Sequence, residues 1–375
     1  MPAKFRVYPD ELEKAGYVVG LTRKGWGPGT LEGTGRVRNP AGPSFRSFDD
    51  FFKTVPEDKP FCFWFGGFDP HRPYAKGSGS KAGIDPTKIR VPGFLPDTPT
   101  VRSDIADYYF EVQRFDQEVG HILDVLEQAG RLDNTLVIMT GDNGMPFPRA
   151  KANCYDSGTH APLAVCWKSK VPGGRIVDDF VSLTDVAPTV MEVAGLKPLP
   201  EMTGRSFLNV LLSEKSGRVD PARDHLFTAR ERHTCCRPND ASYPIRTIFT
   251  ERYHLIWNLR PDLWPAGNPP EESAGRDFGD IDGSPTFTEM FQRRDDPAIR
   301  PFFLAATAKR PEFELYDLQE DPDELHNLAG LPEYAEIQRE LTQQLKSFME
   351  ATGDPRAKGE TDFWDRIPYV GRRPK

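Results

Sequence analysis

No apolar run in this chain approaches the ~18 residues that a membrane-spanning helix needs. Basic residues do not predominate either: 48 Lys and Arg stand against 56 Asp and Glu, a formal charge of −8. A nucleic-acid binder would show a basic face, so that class is set aside. An anionic substrate is not excluded, because a local basic pocket can sit in an acidic protein. Cysteine is scarce and odd in number: Cys62, Cys154, Cys166, Cys235 and Cys236. None shows C-x-x-C spacing, which argues against zinc. Cys62 and Cys166 fall in apolar runs and are expected in the core. Pairing of the adjacent Cys235 and Cys236 is left open. The opening residues, MPAKFRVYPDELEKAGY, lack the apolar stretch of a signal peptide.

What is present is enough for a large core. The chain has 375 residues, 38% of them hydrophobic and 11% aromatic, which suits one α/β domain plus a smaller one. Its 36 prolines and 32 glycines imply many loops, where active sites are commonly built. The informative stretch is TLVIMTGDNGMPFPRAKANCYDSGTHAPL at 135–163. Residues 135–139 read as a buried strand in an open sheet. Gly141-Asp142-Asn143-Gly144 then turns sharply at its carboxyl end, where open α/β sheets place ligands. A carboxylate beside an amide oxygen suits a hard divalent cation. Taken alone these residues are a turn, since Asp, Asn and Gly favour turns. Lys151, Tyr155, Asp156, Gly158, His160 and Pro162 follow in a set pattern, and that changes the reading.

The pattern resembles the sulfatases of the alkaline phosphatase superfamily, in which a strand leads to S/T-x-DNG, then Lys or Arg, Tyr, an acid, Gly and Pro. DNGMPFP looks like the sulfamidase (heparan N-sulfatase) branch, as do FGGFDPHRPY at 65–74, the block at 242–258 and FELYDLQEDPDELHNLA at 313–329. The resemblance runs from about residue 9 to about 355. It implies an alkaline-phosphatase-like α/β sandwich, with a mostly parallel central sheet and a smaller C-terminal α+β subdomain with antiparallel strands. The divisions are 1–219 and 220–375. It implies Asp142 and Asn143 on one metal ion, Ca2+ by preference with Mg2+ as the alternative. Lys24 and Lys151 would contact sulfate oxygens, and His71 would donate to sulfate or to the leaving group. His160 and His233 are carried as substrate-binding candidates. Lys24 alone would pass for a solvated loop lysine. Trp26 stands where the family usually has histidine, and Arg23 where it has glycine.

One family feature is missing. Sulfatases carry Cys or Ser-x-Pro-Ser-Arg near the N-terminus, its first residue oxidised to the formylglycine nucleophile. Ala41-Gly42-Pro43-Ser44-Phe45-Arg46 has neither the cysteine nor the register, and Cys236-Arg237-Pro238 fails as well. The expectation is an N-terminally truncated sulfatase, inactive and poorly soluble alone. The complete protein would be periplasmic, secreted or lysosomal and act on a sulfated saccharide. A phosphoester or phosphonate hydrolase of the same superfamily, or a non-catalytic paralogue, are the alternatives.

The remaining elements follow from periodicity. Helices are expected at 7–17, 48–55, 100–130, 181–195 and 334–350, and a buried strand at 60–65. The acids of 100–130 read as a solvated face, and Asp185 as structural. Strands are expected at 18–21, 163–167, 225–228, 243–250, 253–257 and 313–316. Residues 260–312 read as an irregular insert.

Overall fold

The computed structural model describes all residues except 28, 274, 275, 361 and 368–375. Helix α1 (Tyr8–Lys14) leads into β1 (Val18–Arg23), then the short β2 (Ser44–Phe45), α2 (Phe48–Phe52) and β3 (Phe61–Gly66). Strands β2, β1 and β3 form a parallel sheet in that order. Ser47 starts α2 by accepting from the Asp50 N–H at 3.1 Å, which satisfies one free donor of the first turn. Phe48 and Phe51 of that helix are buried and stack with Phe61 and Phe63 of β3. Each such ring contributes about 1.5–3 kcal/mol on leaving water. Gly20 lies under Phe51, where a Cβ would come within 2.5 Å of the ring, so only glycine lets this packing close.

After α3 (Ser78–Lys81), the 30-residue helix α4 (Pro99–Gln128) crosses the molecule. Thr98 caps it, Pro99 occupies its first turn, and Gly130 at φ +65° ends it. The acids expected to be solvated on this helix are so only in part: Asp116, Asp124 and Glu127 are exposed. Asp104, Asp107 and Glu111 are buried, because polar groups from other elements converge on that face. Asp107, for instance, accepts the N–H groups of Gly77 and Gly79, at 2.9 and 2.8 Å, at the start of α3.

Strand β4 (Val137–Thr140), α5 (Asp156–Thr159) and β5 (Leu163–Cys166) come next. Strand β4 pairs with β5, antiparallel, and among the described residues it does not join the parallel sheet. The burial expected of it is therefore incomplete: all four of its residues are half-buried. Strand β3 also falls short of the buried strand expected, since it pairs on one side only and Trp64 is 44% exposed. Cys62 is half-buried and Cys166 exposed, against the expectation of two core thiols.

Helices α6 (Val186–Val193) and α7 (Leu208–Leu211) lead to β6 (His225–Arg230), β7 (Ile245–Thr250) and β8 (Tyr253–Asn258). Asp185 is structural as expected. It caps the turn before α6, accepts the Arg205 N–H and pairs with buried Arg223 at 2.8 Å. Helices α8 (Pro285–Gln292) and α9 (Arg300–Thr307) occupy the stretch expected to be irregular. Their Met290 and Phe303 pack with Val101, Ile105 and Ala106 of α4 in one core. Strand β9 (Phe313–Asp317) completes the antiparallel sheet β6-β7-β8-β9, and α10 (Ala335–Ala351) covers it through Leu341, Leu345 and Met349.

Candidate active site

Two strand ends supply the candidate residues. At the first, β1 ends at Arg23, whose φ of +57° is the left-handed conformation that suits the glycine expected there. Arg23 meets that conformation while its guanidinium holds Glu118 of α4 at 2.6 and 2.5 Å. The Lys24 N–H donates to the Gly66 carbonyl at 3.1 Å, and Trp64 Nε1 donates back to the Lys24 carbonyl at 2.9 Å. A Cβ on Gly66 would lie 1.7 Å from that carbonyl oxygen, so the approach of the two strand ends requires glycine. Lys24 is exposed, with its ammonium 5.8 Å from the Phe68 ring centre. The same loop carries His71, whose N–H donates to the Phe68 carbonyl at 2.9 Å. His71 Nδ1 lies 2.6 Å from the Arg72 carbonyl. A carbonyl only accepts, so Nδ1 carries a proton and Nε2 is left for chemistry. That nitrogen is an acceptor in neutral imidazole and a donor only in the cation.

At the second strand end, the Asp-Asn-Gly turn follows β4. The Gly144 N–H donates to the Gly158 carbonyl at 2.8 Å, and a Cβ there would meet Ser157 O at 1.9 Å. Asp142 is exposed. Asn143 donates its amide N–H to the Gly144 carbonyl at 2.8 Å, which leaves its oxygen free. The donors are thus one carboxylate and one amide oxygen, side by side. They fit two positions of an oxygen shell for a hard cation. Among the described residues no group of three His, Cys, Asp or Glu completes it. A cavity of about 400 Å³ opens beside the turn, lined by Asn143, Asp156, His160, Phe94, Tyr108 and Glu324. His160 is at its rim, exposed, with Nδ1 3.3 Å from Asp156, and that carboxylate raises its pKa.

Lys151 leaves the same loop, its N–H bonded to the Met145 carbonyl at 3.1 Å. Its ammonium is mostly buried and donates to Asp282 at 2.7 Å. His233, after β6, shares this neighbourhood. Burial lowers its pKa, Asp280 opposes that, and the positive charge of Lys151 adds to it. Behind it, Asp280 is buried between Arg230 and Arg237, which hold it well below the usual carboxylate range despite burial. Lys151 therefore acts on His233 through its charge, and His160 joins Asn143 at the cavity. Lys24 and His71 stand together at the other strand end.

What joins the two ends is Arg72, which sequence reasoning missed. It is buried and donates bidentately to Asp104 of α4 at 2.8 and 2.9 Å. Its Nε donates to the Pro146 carbonyl at 2.8 Å, in the loop just past the Asp-Asn-Gly turn. Its guanidinium stacks between Tyr74 and Phe147. The neighbour of His71 thus holds the neighbour of Asp142. An arginine in a Pro-x-Arg-Pro turn beside a helix with unexplained acids was the available signal.

None of the five thiols reaches the strand ends. Cys62 pairs with Val19 early in β3, and Cys166 pairs with Val137 at the far end of β4 from Asp142. Burial pushes the Cys154 thiol up to about 11 and that of Cys62 up to about 12. Cys235 and Cys236 are not disulfide-bonded. No described residue stands as the formylglycine.

The sulfatase family model matches residues 42–196, and the model for the C-terminal part of N-sulphoglucosamine sulphohydrolase matches 149–266 and 303–351. Human N-sulphoglucosamine sulphohydrolase is 31% identical over 81% of this chain and 63% of its own length. An ulvan-active sulfatase of Formosa agariphila is 28% identical over 75% of this chain and 44% of its own. The chain therefore spans less than two thirds of either relative. A solved structure in complex with its substrate D-glucosamine-2-N,6-O-disulfate superposes at a TM-score of 0.61, covering 92% of this chain and 82% of that one at 16% identity. A phosphonate monoester hydrolase of Silicibacter pomeroyi superposes at 0.57, covering 87% and 62% at 17% identity. With the Asp-Asn-Gly turn, Lys151 and the antiparallel C-terminal sheet all in place, the chain belongs to the sulfatase family of the alkaline phosphatase superfamily.

Proposed function

We propose that this chain supplies the sulfate-recognising part of a sulfuric ester hydrolase acting on sulfated sugars, ester or sulfamate. The observation that carries the reading is Lys151, a mostly buried ammonium on the loop that follows the Asp-Asn-Gly strand end. A cation with little water around it stabilises charge on a transferring sulfo group far better than an exposed one. Lys24 would face the same group from the other strand end. His71, through Nε2, would protonate the leaving oxygen or nitrogen only as imidazolium, since Nδ1 is committed to a carbonyl. Asp142 and Asn143 would hold the divalent cation, Ca2+ by preference. When bound, such an ion withdraws electron density from a sulfate oxygen. The sugar would enter through the cavity rimmed by His160. The names of the relatives support a sulfated glycan as substrate.

Nothing among the described residues supplies the covalent nucleophile, so these residues alone should not turn over an aryl sulfate. Titration with glucosamine 6-sulfate and with bis-phosphodiesters tests the reading. Sulfo-sugar binding that Lys151→Ala removes supports it. Binding confined to phosphodiesters or phosphonates would instead favour the hydrolases of the second kind.

A further inference from the structure

Asp282 belongs to no motif of the sequence, yet it holds Lys151, the cation on which the proposed function rests. Its carboxylate accepts from Lys151 Nζ at 2.7 Å, with the two side chains 24% and 11% exposed. It comes from the loop before α8, whereas Lys151 comes from the loop after β4 and His233 from the loop after β6. Two distant chain segments therefore meet in one ion pair, and His233 on a third feels the charge of both. Asp282 also acts electrostatically on Tyr74, three residues from His71. The groups around the pair are His233, Tyr74 and, further back, Asp280 with Arg230 and Arg237. The two arginines bond Asp280 and the carbonyls of Trp264 and Pro265, and the N–H groups they have left, Arg230 Nε and Arg237 Nη1, are sealed from solvent. Lys151 is thus the cation of this cluster left to meet a ligand, and a carboxylate already occupies it.

That arrangement has a chemical consequence. A sulfo group can take Lys151 only by displacing or sharing with Asp282. Two anions would then lie side by side, and a partly buried carboxylate would lose its cation. A ligand that brings its own cation removes both costs. Resting on the sulfo-sugar reading above, we propose that Asp282 is a specificity-determining residue and that the site selects sulfated amino sugars with a free ammonium. The sulfo group replaces Asp282 on Lys151, and the ammonium replaces Lys151 on Asp282. The exchange trades one charge-assisted pair for two, with no covalent step.

Calorimetric titration of the whole chain tests this with glucosamine 6-sulfate, N-acetylglucosamine 6-sulfate and unsulfated glucosamine. A charge-assisted hydrogen bond exceeds a neutral one enough to give about a tenfold preference for the free amine over the N-acetyl sugar. Asp282→Asn, which keeps shape and an acceptor, should erase that preference and strengthen N-acetylglucosamine 6-sulfate binding. Asp282→Glu should retain it in part. The His233 ring resonance checks that the substitution reaches the site: with the negative neighbour gone, its titration should move to lower pH. Equal affinities in the native chain, or a preference that survives Asp282→Asn, overturns the inference. If both sulfated sugars bind alike and Lys151→Ala removes both, the sulfo-sugar reading stands and only this inference falls. If glucosamine binds as well as its sulfate, or no sulfated sugar binds, both fall.

Discussion

Removing the Asp104 carboxylate should be among the most damaging single changes in this protein. It sits in the second turn of α4 and accepts both Arg72 N–H bonds, at 2.8 and 2.9 Å, and the Thr286 hydroxyl at 2.6 Å. Its side chain is 1% exposed and that of Arg72 is 5% exposed. Asp104→Ala leaves a buried guanidinium without its counter-ion and a buried hydroxyl without an acceptor. Breaking a buried pair from one side costs about 3–5 kcal/mol. Total stabilities are about 5–15 kcal/mol, so this is a large share. Glu118→Ala is the control on the same helix. Its bidentate pair with Arg23 has equally short bonds, but both side chains are one third exposed. Water screens that pair, and its loss should cost at most about 1 kcal/mol. Urea unfolding at equal slope reads the difference directly as a shift in midpoint. If the two variants unfold within about 1 kcal/mol of each other, burial of the Arg72 pair is not what holds the two strand ends together. Asp104→Asn should fall between the native chain and Asp104→Ala, because Asn keeps an acceptor for Thr286 and loses the charge.

Three further outcomes follow from the same geometry. Gly66→Ala places a Cβ 1.7 Å from the Lys24 carbonyl oxygen, which is backbone and cannot swing away, so it should cost about 1–3 kcal/mol or more and be visible as a lowered melting temperature. In proton NMR, His160 should titrate above the ordinary histidine value, through its Asp156 hydrogen bond, and His233 below it, through burial. The signs differ for stability. The His160 contribution is full below about pH 6.5 and fades as pH rises through its folded value, whereas that of His233 is present above about pH 6.5 and is lost on acidification. His233→Gln should therefore reduce acid sensitivity and His160→Gln should not. Asp142→Ala should weaken Ca2+ binding measured by calorimetry, and an unchanged affinity would place the ion elsewhere.

The frame was legible where local chemistry decides it. Helix α4 announced itself by eight apolar residues at helical spacing and a glycine stop, and it forms within two residues of the expected ends. The antiparallel sheet was legible from alternation and from the Glu251-Arg252 turn, which register confirms as a hairpin. Burial was not legible, because it depends on what packs against an element. The run PFCFWF reads as core in any window, yet Trp64 faces solvent on a strand paired on one side only. The acids of α4 read as surface, yet three of them are interior because Arg72, Thr286 and the N-terminus of α3 arrive from distant segments.

The site divides along the same line. Asp142, Asn143 and Lys151 could be read because the turn that presents them is built by adjacent glycines. Lys24 and His71 could be read because each lies just beyond a strand. Partners such as Asp282 and Pro146 could not be read, since they come from far along the chain. Asp282 is 131 residues from Lys151, and Arg72 reaches Pro146 across 74. Those partners decide what the motif residues can do. Lys151 is paired with Asp282 and is not a bare cation, and the Arg72 carbonyl fixes which nitrogen of His71 is left unpaired. A motif thus names the reacting groups, whereas their charge state and reach are properties of the tertiary fold. It follows that exchanging Lys151 for arginine is not conservative here. A planar fork would bind the Asp282 carboxylate through two parallel bonds, where the ammonium offers a compact point charge. It would release the carboxylate less readily, so Lys151→Arg should weaken sulfo-sugar binding while raising the unfolding midpoint. If binding instead strengthens with no gain in stability, Asp282 is not competing with the ligand for that cation.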